Sequence, residues 1–301
     1  MKWFIFSLIT LFCWSFSDLF SKLGCADKKD SHSALKMVTA VGVVMGLHAA
    51  YTLIFTDVEF TLQTMLTYLP VSFLYISSMT IGYVGLRFIE LSISSPICNS
   101  SGALVSVICI ITGAALVNAQ YIAIALVAAG VIGLGIAEMT EDDELRAARQ
   151  SKSNFKYTKS FLAILLPVIY CLLDALGTFA DSLVLEKLDE DAANTAYELT
   201  FLVCGIICFI YVKFIKKEKY FPKKEAPKYI GAAFETAGQF AYVYALADAD
   251  HVALSAPIIS SYCALSVLWG RIFLKEKLSW KHYLCILLTV AGIAVIGFYD
   301  P

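Results

Sequence analysis

Apolar residues are arranged along the chain in long runs that are separated by short polar or charged breaks. Ten of these runs are long enough for roughly 20 residues of helix, the length that crosses the hydrocarbon core of a bilayer. The runs are continuous rather than alternating, which favours helices over the strands of a membrane barrel. The pattern therefore predicts ten membrane-spanning helices, over residues 3–23, 34–55, 65–88, 93–113, 119–137, 160–183, 193–213, 228–247, 252–274 and 281–299.

Composition agrees with a polytopic membrane protein. Of the 301 residues, 59% are hydrophobic and 16% are charged, and the mean hydropathy is +0.73. A soluble domain has about 45–50% apolar and about 25% charged residues. This surplus of apolar residues excludes an ordinary soluble enzyme, a disordered chain and a disulfide scaffold. The net charge of −2 gives no indication of a nucleic-acid partner.

The polar connections between the runs alternate in their content of Lys and Arg. The odd-numbered connections hold 21 of the 23 Lys and Arg residues, and only Lys2 and Lys187 fall on the other side. Under the positive-inside rule, the odd connections are cytoplasmic and both termini face outward. Asp18 and Lys22 interrupt the first run where a cleaved signal peptide needs apolar residues, so this run is predicted to be a retained span. We expect an integral protein of the plasma membrane.

A charge-dense linker divides the ten runs into two sets of five. The expected units are a first five-helix unit over 1–137, a cytoplasmic linker over 138–159 and a second five-helix unit over 160–301. Because five is an odd number, the second unit must enter the membrane in the opposite sense to the first.

Short sequence matches recur in the same order in the two halves. The matches are Asp18 with Asp174, Ser94–Ile97 with Ser255–Ile258, and Ala129–Val131 with Ala291–Ile293. A repeat inserted in opposite senses is an inverted repeat, which is typical of secondary transporters. Such a protein has two related conformations, one open to each side of the membrane.

The end of the second half resembles an EamA-type repeat. The likeness lies in Ala253–Pro257, Leu274–Leu278 and Val290–Ile293, and Cys13–Ser15 resembles the tryptophan-containing start of the same repeat. These repeats define much of the drug/metabolite transporter superfamily. The resemblance implies a ten-helix secondary carrier of small metabolites and leaves the substrate open, because substrates vary widely in this superfamily. The first copy departs from the pattern, with Ala115 where the second has Glu276.

Acidic residues inside the predicted spans are the first candidates for transport chemistry. A carboxylate in a span costs at least about 2.5–3.5 kcal/mol on insertion scales. Glu235 and Asp174 lie well inside their spans, with no basic residue three or four positions away. Asp18 has Lys22 one turn later, which also allows a local ion pair. Each acid has a structural alternative, a protonated carboxyl that hydrogen-bonds to a neighbouring helix.

Several polar and aromatic residues share the predicted faces of these acids or follow matched prolines. Pro96 and Pro257 are predicted to kink their helices, because proline removes a backbone donor and frees a carbonyl. His48 is a candidate because a histidine side chain can change its charge near neutral pH. Its structural alternative is a hydrogen bond that bridges two helices. The further candidates for substrate binding or coupling are Gln239, Trp14, Tyr170, Tyr242, Tyr262 and Asn99.

The predicted interior is acidic and aromatic, with no deep Lys or Arg in the sequence pattern. Such a cavity favours a small organic cation or an amino-acid-like zwitterion, by charge and by cation–π attraction. The same carboxylates could carry protons, or another ion could couple transport. The sequence shows no catalytic motif, metal-ligand set or cofactor motif. A channel or a non-transporting receptor is the main alternative, an intramembrane enzyme is a weaker one, and the choice between monomer and homodimer stays open.

Overall fold

The fold is a bundle of helices in the described part of the chain. A computed structural model describes residues 2–25, 30–86, 88, 91–140, 161–274 and 278–299, and these residues contain no β-strand. The helices are α1 Lys2–Cys25, α2 Ser33–Phe55, α3 Leu62–Gly85, α4 Leu91–Asn99, α5 Ser101–Thr112, α6 Asn118–Met139, α7 Phe161–Leu185, α8 Glu190–Ile210, α9 Pro222–Leu246, α10 Val252–Ser260, α11 Tyr262–Phe273 and α12 Trp280–Phe298. A π-helical turn, Tyr211–Ile215, extends α8, and a short 3-10 turn, Ala249–His251, precedes α10.

These helices form the ten spans that the apolar runs predict, which confirms an all-α polytopic membrane protein. Two of the spans consist of two helices each, α4 with α5 and α10 with α11. Among the described residues, nine spans are long and apolar enough to cross a membrane. The exception is α9, whose first turns carry Lys223, Lys224, Glu225 and Lys228. It begins at Pro222, six residues before the predicted start, because proline fits the first turn of a helix, where its missing N–H is not needed.

Both interrupted spans break at equivalent places. Each helix stops four residues after its proline, at Ser100 after Pro96 and at Ser261 after Pro257. Pro257 cannot donate to the carbonyl of Ala253, and the Ser106 hydroxyl of α5 donates to that carbonyl at 2.8 Å instead. The two interrupted spans pack against each other, so the freed carbonyl is satisfied across the interface between the halves.

Helix packing is consistent with two related halves. The first span packs along the eighth, as α1 on α9, and the third packs along the sixth, as α3 on α7. If spans one to five are exchanged with spans six to ten, each of these pairs becomes the other. The second and seventh spans, α2 and α8, pack together, as do the fifth and tenth, α6 and α12. Each of those pairs maps onto itself under the same exchange.

The two ends of the bundle differ in charge, and we name them accordingly. The lysine-rich end carries the connections from α1 to α2, α3 to α4, α8 to α9 and α11 to α12. The lysine-poor end carries the connections from α2 to α3, α7 to α8 and α9 to α10. Most of the predicted linker, residues 141–159, and Glu276 of the motif in the second half lie outside the described residues. The boundaries of the two five-helix units stay predictions.

Candidate functional site

A cavity of about 60 Å³ lies in the centre of the bundle. It extends from the middle of the helices towards Leu86 and Leu91 at the lysine-rich end. A volume of this size holds several water molecules. The wall combines residues of both halves, from α1, α3 and α4 on one side and from α7, α8, α9 and α11 on the other.

Three carboxyl groups line this one cavity. They are those of Asp18 on α1, Asp174 on α7 and Glu235 on α9, and among the described residues no Lys or Arg lines the cavity with them. The sequence predicts each acid separately, and the packing of the helices brings the three together. The site is therefore rich in acceptors and, with the acids ionised, strongly negative.

Each carboxylate is held by a serine hydroxyl from a neighbouring helix. Ser17 donates to Glu235 Oε2 at 2.7 Å, and Ser101 donates to Asp174 Oδ2 at 2.7 Å. Asp18 Oδ2 accepts from Ser95 at 2.6 Å and from Ser266 at 2.9 Å. Asp18 thereby joins the two interrupted spans, α4–α5 and α10–α11. These one or two contacts orient each acid and leave other carboxylate lone pairs available to a ligand.

Three residues that line the cavity also carry buried donors with no partner among the described residues. The indole N–H of Trp14, the side-chain amide nitrogen of Gln239 and the hydroxyl of Tyr83 are buried and have no hydrogen-bond partner among the described residues. Buried polar groups nearly always have a partner, so orphaned donors in a cavity indicate a missing acceptor. Tyr83 lies in a predicted span and is one of the aromatic residues that the sequence offers for the interior.

Aromatic rings form much of the remaining wall. Trp14 packs against Tyr242 with ring centroids 4.9 Å apart and against Tyr262 at 5.8 Å. Tyr170 and Tyr262 line the central cavity and also a smaller one of about 10 Å³. Asn99 and Tyr242 line only the smaller cavity, where Asn99 Nδ2 donates to the Ser95 carbonyl at 2.8 Å.

The remaining sequence candidates lie elsewhere. His48 Nδ1 is 2.7 Å from Glu198 Oε1, in a pair that joins α2 to α8 and lines neither cavity. Glu198 is fully buried, although its place near the end of its span favours an interfacial role. Pro96 borders an apolar groove on the outer surface between α4, α6 and α7. Pro257 is buried in the packing of α10.

A further acid, Asp181, is buried near the cavity but is absent from the sequence candidates. Its carboxylate accepts from Tyr68 at 2.7 Å and from Tyr75 at 3.3 Å. Asp181 lies on the same helical face as Asp174, which points to the interior of the bundle. It also lies two residues from the end of the predicted span at residue 183, where an acid can reach the membrane surface, so the sequence does not single it out. The side chain has no solvent exposure and lies on the lysine-poor side of the cavity.

An ionic cluster at the lysine-rich end ties the first half of the chain to the second. Lys36 Nζ is 3.0 Å from Asp30 Oδ1 and 3.1 Å from Glu218 Oε2, and Lys228 Nζ is 2.7 Å from Glu225 Oε2. Burial opposes ionisation of Glu218, but hydrogen bonds from His32, Lys36 and Ser31 outweigh it and lower the pKa from 4.5 to about 2. Because this pKa is depressed, the cluster is fully stabilising above pH 4.5 and loses that stability as the pH falls towards 2.

The described residues hold no group of three His, Cys, Asp or Glu side chains that is placed to bind a metal ion. The cysteines among them lie in helices, where a thiol packs as a small apolar group. The chemistry available in the cavity is therefore that of carboxylates, hydroxyls, an amide and aromatic rings.

Comparison with known proteins identifies the family. Residues 161–298 match the model of the EamA-like transporter family. The second half of the chain belongs to the EamA-like transporter family. This confirms the assignment to the drug/metabolite transporter superfamily, and the matched family is one of membrane transporters of small molecules.

The fold extends beyond the matched half. A solved crystal structure, described only as that of a protein, shares the fold over 98% of this chain and 96% of its own, with a TM-score of 0.65 and 12% identity. At that identity the likeness concerns the fold alone. The EamA-like chain matches no curated protein sequence.

Proposed function

We propose that this EamA-like protein is a secondary active transporter that carries a small organic cation or an amino-acid-like zwitterion through the central cavity. The observation that carries the proposal is the convergence of Asp18, Asp174 and Glu235 on one cavity whose described lining has no Lys or Arg. A cationic group of the substrate would neutralise this charge, and the faces of Trp14 and Tyr262 would add cation–π attraction.

The orphaned donors favour a zwitterion over a simple cation. Trp14, Gln239 and Tyr83 each present a hydrogen that lacks an acceptor, while the three acids are acceptors already. A substrate with both an ammonium group and a carboxylate or carbonyl would satisfy both sets. A cation without an acceptor would leave the donors unpaired, at about 1–3 kcal/mol for each group.

Alternating access by an inverted repeat is the proposed mechanism. Its support is the helix packing. When the two halves of the chain are exchanged, the pair α1 with α9 becomes the pair α7 with α3. The matched acids Asp18 and Asp174 come from equivalent spans and face the same cavity. Protons are the proposed coupling ion, since a carboxylate in a dry cavity can exchange a proton for the substrate cation.

The proposed setting is the plasma membrane, with the lysine-rich end and linker 138–159 in the cytoplasm and both termini outside. The support is the charge asymmetry, with 21 of the 23 Lys and Arg residues in the odd connections.

Transport by the purified protein in liposomes tests the function. Solid-supported-membrane currents are recorded for choline-like cations, polyamines, amino acids and sugars, each with and without a pH gradient. We expect a saturable current for a cation or zwitterion that falls at least about tenfold in Glu235→Gln, the loss of one interaction of about 1.4 kcal/mol. Glu198→Gln is the matched control, because it removes a buried acid that lines neither cavity.

Two outcomes would contradict the proposal. Wild-type transport and pH dependence in both Glu235→Gln and Asp174→Asn would end the carboxylate role. Currents that never saturate would favour a channel.

A further inference from the structure

A run of exposed lysines lies where α8 ends and α9 begins. Between residues 213 and 224 the chain has six lysines and one acid, Glu218. All six lysines are exposed, and we call them the basic surface: Lys213, Lys216, Lys217, Lys219, Lys223 and Lys224. So many like charges in a run this short repel one another unless anions lie beside them.

The one acid in this run is engaged in the ionic cluster. Glu218 Oε2 is 3.1 Å from Lys36 Nζ, and Glu218 Oε1 is 2.6 Å from His32 Nδ1. The ion pairs among the described residues include none of five lysines of the basic surface: Lys213, Lys216, Lys217, Lys219 and Lys223. Residues 213–224 therefore offer no further acid to compensate the basic surface.

A left-handed turn stands at the centre of the basic surface. Lys217 has a φ of 55°, and it is the one non-glycine residue with a positive φ in the described part of the chain. The turn ends the π-helical extension of α8, and the N–H of Glu218 donates to the Val212 carbonyl at 3.1 Å. Glycine is the usual residue at such a helix end, because a Cβ atom is sterically unfavourable in the left-handed region. The turn itself thus does not require a lysine side chain here.

The basic surface lies at the depth of the lipid headgroups. The 21 residues of α8, Glu190–Ile210, extend over about 30 Å, the thickness of the hydrocarbon core. The first lysines of the basic surface follow directly after this length. Three apolar side chains between the lysines are more than half exposed: Phe214, Ile215 and Phe221. Apolar side chains beside lysines are typical of the membrane interface, where they contact acyl chains and the ammonium groups contact headgroups.

The lysines at the start of α9 do not stabilise that helix. Lys223 and Lys224 directly follow Pro222, the first residue of α9. The N-terminal end of a helix carries a partial positive charge, so cations are unfavourable there. An anionic group beside these two lysines would remove this penalty.

We propose that the basic surface binds the headgroups of anionic phospholipids in the leaflet at the lysine-rich end. Clusters of about four to eight Lys or Arg residues beside a membrane span are typical of proteins that bind acidic lipids. The exposed apolar side chains between the lysines keep the surface at the headgroup level. The proposal depends neither on the substrate nor on transport, and it holds for either orientation of the molecule.

Short-range fluorescence quenching in nanodiscs tests the proposal. A fluorophore is attached through p-acetylphenylalanine at the exposed position Ile215, so that the nine native cysteines need not be changed. Nanodiscs of phosphatidylcholine carry a small, equal fraction of nitroxide-labelled phosphatidylglycerol or nitroxide-labelled phosphatidylcholine. We expect an apparent affinity at least about tenfold higher for the labelled phosphatidylglycerol, a difference of about 1.4 kcal/mol. High salt should reduce this preference by screening.

Removal of three charges from the basic surface should abolish the preference. The variant combines Lys213→Gln, Lys217→Gly and Lys223→Gln. Lys217→Gly keeps the turn, because glycine adopts a positive φ without strain. A second variant, with Lys213→Arg, Lys217→Arg and Lys223→Arg, should keep the preference because it retains the charges.

The matched control removes three exposed lysines from other parts of the chain, with Lys2→Gln, Lys187→Gln and Lys281→Gln. Its preference for phosphatidylglycerol should equal that of the wild type. Equal quenching by the two lipids in the wild type, or an unchanged preference in the Lys213→Gln, Lys217→Gly, Lys223→Gln variant, would overturn the proposal. A preference that inorganic phosphate removes, but sodium chloride of equal ionic strength does not, would overturn it in favour of a soluble anion.

Discussion

At the scale of single residues, the cavity depends on a close approach of Trp14 to helix α9. A Cβ atom added to Gly238 would lie 2.6 Å from Trp14 Nε1 and 3.2 Å from Cys13 Cβ. Gly238→Ala should push the indole into the cavity and raise the KM for substrate by about tenfold, a cost of about 1.4 kcal/mol. Concentration-dependent transport currents in liposomes measure this change.

The matched control is Gly135→Ala, where the nearest atom to an added Cβ is 3.7 Å away, an ordinary contact. We expect its KM to stay at the wild-type value. Equal KM values for Gly238→Ala and wild type would mean that the indole does not shape the binding site.

The sequence identifies many of the residues of the site but not their grouping. Asp18, Asp174 and Glu235 can be found because an unpaired acid in an apolar run is costly. Their convergence cannot be found in this way, since a helical pattern fixes the face of a helix and not its neighbour. His48 shows the same limit, because its partner Glu198 lies 150 residues away on α8.

At the scale of helices, the apolar runs predict the spans closely because each helix must satisfy its backbone groups within the bilayer. The first turns of α9 are missed because Lys223–Lys228 reads as a polar loop. Two of those residues, Glu225 and Lys228, are in fact buried at the lysine-rich end. No hydropathy pattern can separate a buried ion pair from a solvated one.

The Glu225–Lys228 pair gives a prediction at this scale. Lys228 is 2% exposed, and its second acidic neighbour among the described residues is Asp30, at 3.9 Å, so Glu225→Gln leaves a buried charge poorly compensated. We expect a destabilisation of about 3 kcal/mol. Unfolding of the purified protein in mixed micelles measures it.

Glu59→Gln is the control, because Glu59 is exposed in the connection between α2 and α3. It should change the free energy of unfolding by less than about 0.5 kcal/mol. Equal stability of Glu225→Gln and this control would show that the buried pair does not hold α9 in place.

At the scale of the whole molecule, the packing is consistent with the repeat that the sequence predicts. Gly130 on α6 and Gly292 on α12 are matched positions of the two halves, and each lies against the other's helix. An added Cβ would lie 2.7 Å from the Cys285 carbonyl oxygen at Gly130 and 2.8 Å from that of Ala123 at Gly292. Small residues allow such close helix contacts in membranes. The two ends of the bundle differ, since the lysine-rich end has the ionic cluster and the lysine-poor end has Asp181 with Tyr68 and Tyr75.

Because the two ends differ, it matters for function which of them faces the cytoplasm. With 21 of its 23 Lys and Arg residues in the odd-numbered connections of the sequence, the protein should insert with the lysine-rich end in the cytoplasm. The buried carboxylate of Asp181 would then lie on the outer side of the central cavity, and the ionic cluster would face the cytoplasm. We expect an epitope after Tyr299 to bind antibody on intact cells, and an epitope inserted in linker 138–159 to bind only after permeabilisation. The opposite labelling would place the ionic cluster outside the cell and contradict this orientation.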